Sequence, residues 1–160
     1  MSAVELAARA HAAFRADAGL PPAMSLRGGG AVDGYDTPPA FDPALDEPSD
    51  AYLEAHAFDG LPYLDAASWR HYLPRLIDYA LRHLERPSMA TEGLLGSLRP
   101  PDREPPRLGS LSPEQEAVVV AVLDVLGFDE HSAHRDLALQ VLEEYWVPDA
   151  LYRKPPPGSA

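Results

Sequence analysis

Eighteen prolines divide this 160-residue chain, and most of them come in clusters. Proline fixes φ and lacks a backbone N–H, so a cluster interrupts both helices and sheet ladders. Pro21-Pro22, Pro38-Pro39, Pro100-Pro101, Pro105-Pro106 and Pro155-Pro156-Pro157 therefore mark irregular connections. The segments between them carry a helical period. The expected fold is all-α (mainly α): a compact bundle of about four to five helices with long Pro/Gly-rich loops.

The central element is the best specified. Asp65 is an N-cap, and Leu64 and Trp69 have the spacing of a hydrophobic staple. Trp69, Leu73, Leu76, Ile77, Ala80, Leu81 and Leu84 form an apolar face, and Asp78 is placed to pair with Arg82. Pro74 interrupts the pattern and predicts a kink near Arg70, with Pro87 ending the element.

A second helix has clear ends. Ser112, Pro113 and Gln115 form a capping box with proline at the first position. The β-branched run Val118–Val122 then reads as helix, Gly127 as a left-handed stop, and Phe128 as folding back on Leu123. Further helices are expected over about 2–17, about 48–56 and about 132–146, with a short turn around Glu92–Leu95. Residues 1–148 thus read as a single helical domain. It contains a long acidic loop over about 24–48, and residues 149–160 form a mobile Pro-rich tail.

The chain has no cysteine, which removes disulfides, thiolate metal sites and thiol nucleophiles, and fits a cytoplasmic setting. Its first eighteen residues carry Glu5, Arg9, Arg15 and Asp17, so they lack the apolar run of a signal peptide. No segment has the run of about 18 apolar residues that spans a bilayer. Richness in Ala, Pro, Arg and Asp suits a GC-rich bacterial genome.

Net charge is −12, unevenly spread. Residues 33–65 hold nine acids and no Lys or Arg, whereas residues 66–111 hold seven Arg against five acids. Phosphate backbones and anionic membranes repel such a chain, so neither nucleic acid nor membrane is an expected partner; a basic protein surface is.

Few residues point to chemistry. His131 and His134, three apart among Asp129, Glu130 and Asp136, lack the four-residue spacing and intervening Glu of a zinc protease helix, so no metal and no cofactor is expected. Gly28-Gly29-Gly30 has no strand before it and no helix after it to make a phosphate loop. No Gly-x-Ser-x-Gly elbow occurs. His71 and Arg75 could form an anion-binding face. No catalytic residue is nominated. The candidate binding residues are Asp33, Tyr35, Asp36, Phe41, Asp42 and Asp46, the acids and aromatics of the long loop.

Three stretches carry a resemblance. They are Tyr63-Leu64-Asp65, then Trp69-Arg70-His71-Tyr72-Leu73-Pro74, and Leu111-Ser112-Pro113-Glu114-Gln115 through Trp146, with Ser25-Leu26-Arg27 beside them. On these the chain resembles a family of small bacterial proteins classed only as a domain of unknown function. The resemblance implies a helical domain over most of residues 3–146 and supplies no activity.

Size and acidity together favour a non-enzymatic interaction module for a basic protein partner, of the kind an immunity-type inhibitor of a bacterial toxin represents. The alternative is a small hydrolase or anion-binding enzyme using the His71/Arg75 face or the acidic loop.

Overall fold

Six helices begin the same way: a serine or aspartate side chain accepts the backbone N–H three residues on. In the computed structural model, which describes residues 1–153, these caps are Ser2, Ser25, Ser49, Asp65, Ser88 and Ser112. They start α1 (Ala3–Ala13), α3 (Leu26–Asp33), α4 (Asp50–Gly60), α5 (Ala66–Arg82), α6 (Met89–Ser97) and α7 (Pro113–Phe128). The short α2 (Arg15–Ala18) follows α1, and α8 (Arg135–Val141) runs into a π-helical turn over Leu142–Trp146. There are eight α-helices and no strand among the described residues, more than the four to five expected. Of the expected proline-rich tail, residues 154–160 lie outside the described residues.

α5 is the centre of the core. Trp69, Tyr72, Leu73, Leu76, Ile77 and Ala80 are all fully buried. The helix passes through Pro74 as one element and ends at Arg82, before Pro87. Leu64 and Trp69 are both buried at its entry, as the staple requires. α1 packs on α5 and α7, α6 on α4 and α5, and α8 on α7 and α6. Asp17 ties these layers together, accepting from Arg70 on α5 at 2.9 Å and from Gln115 on α7 at 2.9 Å.

Three expectations from the sequence are corrected. The segment 24–48 is not wholly loop, because Ser25 caps α3 and the three glycines lie inside that helix. Gly127 does not stop α7; the helix continues through it to Phe128, and the missing side chain makes room for Leu139 of α8. Phe128 is exposed rather than folded back on Leu123.

The triglycine helix exists because of packing. A Cβ on Gly29 would overlap the backbone of Gly60, and one on Gly60 would overlap that of Leu26. α3 and α4 therefore cross in backbone contact, and that burial outweighs the poor helix propensity of glycine, about 1 kcal/mol per residue. Gly96 on α6 is the opposite case: it is exposed, and a Cβ there would meet nothing within 4 Å. Gly96→Ala should accordingly stabilise the protein by about 0.5–1 kcal/mol. Gly29→Ala should destabilise it by about 1–3 kcal/mol or more. Urea midpoints of the two variants should move in opposite directions.

Candidate functional site

α3 ends in a Schellman motif. The Tyr35 N–H donates to the Val32 carbonyl at 3.0 Å and the Asp36 N–H to the Ala31 carbonyl at 2.8 Å. This turn needs a left-handed residue one past the cap, which is usually glycine. Here it is Tyr35, at φ 62°, while Gly34 sits one position early at φ −84°. A side chain in that conformation costs about 1–2 kcal/mol relative to glycine. The ring gains no burial in return, being 98% exposed.

Around it lies an acidic and aromatic surface. The Tyr63 hydroxyl donates to Asp33 at 2.8 Å. That bond raises the phenol above its ordinary pKa, and desolvation and the nearby Asp33, Tyr35 and Asp59 add to the rise. Phe58, on the last turn of α4, is 44% exposed and Tyr63 is 41% exposed. Asp33, Asp36 and Asp59 are exposed, whereas Phe41 and Asp42 are half-buried, with Asp42 bonding the Ala44 N–H. Sequence reasoning misses Phe58, Asp59 and Tyr63, although Asp59 shares the cation-free charge run.

Asp46 belongs elsewhere. It is 1% exposed, and its two oxygens accept four donors. Oδ1 takes Arg27 Nε at 2.9 Å and the Tyr52 hydroxyl at 2.7 Å; Oδ2 takes Arg27 Nη2 at 3.0 Å and the Asp42 N–H at 2.8 Å. This network fastens the 34–49 connection to α3 and α4, and Asp46 presents nothing to a partner.

The histidines also have structural employment. His134 is buried, and its Nε2 accepts the Ser88 N–H at 3.2 Å, while His131 is exposed beside Glu130. The Ser88 hydroxyl donates to Glu54 at 2.7 Å rather than to His134, so Ser88, His134 and Glu54 do not form a nucleophile–base–acid relay. No group of three His, Asp or Glu side chains among the described residues is arranged to hold a metal ion. On the α5 face, a His71 ring nitrogen sits 3.3 Å from the Asp17 carbonyl, and burial lowers the pKa of His71. Arg70 is paired with Asp17, and Arg82 with both Asp50 and Asp78, so of the three α5 arginines only Arg75 has no acidic partner among the described residues.

A cavity of about 520 Å³ opens between α4, α6 and the connection 98–108. The Asp102 carboxylate organises that connection by accepting four backbone N–H groups, from Arg103, Arg107, Leu108 and Gly109, each at 2.8 Å. They hold Arg107 against the core, 3% exposed, with its guanidinium carbon 5.0 Å from the centre of the Trp69 ring. Arg107 Nη1 donates to the Leu61 carbonyl at 3.2 Å; Nε and Nη2 are buried and meet no acceptor among the described residues. Desolvation, with the charge of Arg103, lowers the guanidinium pKa to about 10. Nothing local in the sequence marks Arg107 as buried, since 98–111 reads as loop.

No helix among the described residues is long and apolar enough to cross a membrane. No curated protein and no solved structure matches this chain. One family model does match, over residues 2–150, and the chain therefore belongs to the family of unknown function DUF6714.

Proposed function

We propose that the protein is a non-enzymatic interaction module, acting in the cytoplasm, that docks a basic protein partner on the surface built from Asp33, Tyr35, Asp36, Phe58, Asp59 and Tyr63. Tyr35 carries this reading. An exposed aromatic ring held in the glycine slot of a helix-ending turn weakens the fold, and such strain persists where it serves a function. Tyrosines ringed by polar groups are the usual anchors of protein interfaces.

The surrounding charge supports a basic partner. Of the nine acids in residues 33–65, Asp46 and Asp50 are paired with Arg27 and Arg82, Glu54 bonds Tyr79 and Ser88, and Asp65 caps α5. Asp33, Asp36 and Asp59 are exposed and pair with no cation among the described residues, so their field reaches solvent. An immunity-type inhibitor, covering a basic toxin surface, is a role that suits this arrangement and the small size of the chain.

A photo-crosslinking residue at position 35 identifies the partner, and rate measurements on the purified pair then test the reading. Asp33, Asp36 and Asp59 changed together to Asn should slow association about tenfold at low salt, with the difference vanishing at high salt. Tyr35→Gly should stabilise the free protein by about 1–2 kcal/mol and yet speed dissociation of the complex. Equal rates for the parent and both variants at every salt concentration reject this surface as the interface.

A further inference from the structure

We propose that the cavity between α4, α6 and the 98–108 connection binds a small monocarboxylate, held by the Nε/Nη2 edge of Arg107. The cavity shares Asp33, Phe58 and Asp59 with the partner surface above, but the inference rests on Arg107 and not on that reading. Nε and Nη2 of an arginine form one planar pair of donors that matches the two oxygens of a carboxylate. The protein uses that edge in this way twice. Arg27 clasps Asp46 through Nε and Nη2 at 2.9 and 3.0 Å, and Arg99 clasps Glu144 at 2.9 and 3.1 Å. Arg107 is more deeply buried than either, and its edge has no acceptor among the described residues.

A buried charged donor left unmatched is costly, and natural structures keep one where a ligand completes it. Asp102, whose charge acts on Arg107, does not complete it, because its carboxylate is turned to four backbone N–H groups. Arg107 lines the cavity with Arg103 and Ser97, and a volume of about 520 Å³ suits a small molecule. The rest of the lining selects the ligand. Asp33, Asp59 and Glu92 share the wall without a cation partner among the described residues, and Arg99 beside them is already clasped by Glu144, so a phosphate or dicarboxylate meets like charge. A carboxylate whose other end is an ammonium group meets a complementary one, which makes an amino-acid-like zwitterion the favoured class.

The test uses the whole protein with acetate and lysine as probes, against chloride and phosphate at matched ionic strength. Both carboxylates, lysine more strongly, should raise the thermal midpoint beyond chloride, by about 5–10 °C at a hundredfold excess over the dissociation constant. The chain has two tryptophans. The indole N–H resonance of Trp69, under the Arg107 guanidinium, should move during the titration, while that of Trp146 stays. Arg107→Met, which keeps the apolar stem, should abolish both effects. Gly96→Leu should abolish them too: Gly96 lines the cavity and a Cβ there meets nothing within 4 Å, so leucine extends into the ligand volume while Arg107 itself is unchanged. The proposal fails if carboxylates act no differently from chloride, if phosphate outperforms them, or if the effect survives Gly96→Leu.

Discussion

Trp69→Ala should lower stability by about 3–5 kcal/mol, among the largest losses a single truncation produces. The side chain is fully buried at the start of α5, and its removal does three things at once. It opens a cavity beneath the staple with Leu64. It removes the donor to the Ser97 hydroxyl, which accepts Trp69 Nε1–H at 3.0 Å and is left with only its own bond to the Leu94 carbonyl. It also uncovers Arg107, whose guanidinium rests on the indole face. Trp69→Phe separates these contributions: it keeps a ring under Arg107 and much of the volume, and should lose only about 1–2 kcal/mol. Urea unfolding of both variants checks the ranking. A midpoint for Trp69→Ala equal to that of the parent would contradict the register of α5.

The same helix shows what is legible in the sequence. Its cap, staple and apolar stripe are all local, and local signals survive into the fold. So do the Ser112–Gln115 capping box and the helical state of the valine run, because the caps at Ser112 outweigh β-branched preference. α3 is not legible. Ser25 caps it in the same manner, but three consecutive glycines argue against helix, and the contact that overrides them lies on Gly60. Gly127 misleads for the same reason: a glycine that permits close helix packing looks locally like one that ends a helix.

The site divides along the same line. The charge run over 33–65 is visible by counting, and it directs attention to Asp33, Tyr35 and Asp36. That Tyr35 occupies the left-handed slot needs the hydrogen bonds of the turn, since Gly34 is the residue a sequence reading would place there. Phe58, Asp59 and Tyr63 join the surface only when the end of α4 folds beside α3. Arg107 and Asp46 invert the usual expectation for charged residues, one buried with an unmatched edge and the other fully matched. Burial of that kind depends on the whole core.

Asp46→Asn should cost about 3 kcal/mol or more, although it changes almost no volume. Four donors converge on the carboxylate, and an amide keeps one acceptor oxygen while turning its NH₂ toward two of them. Arg27 is also left without its counter-ion. The same network makes stability depend on acid. Burial alone would raise the Asp46 pKa, but the bonds from Arg27, the Asp42 N–H and Tyr52 overcome it and bring it down to about 2, from an ordinary 3.8. A depressed carboxylate pKa stabilises the fold fully above the unfolded value, and the contribution is lost as pH falls from about 4 through 2. The shift corresponds to roughly 2 kcal/mol. Other carboxylates also titrate in this range, so the informative quantity is the difference between two proteins. Urea midpoints measured from pH 5 to pH 2 should fall for both, and the gap between parent and Asp46→Asn should narrow as Asp46 of the parent becomes protonated. A gap that stays constant over this range would mean that Asp46 is not the anchor of the 34–49 connection.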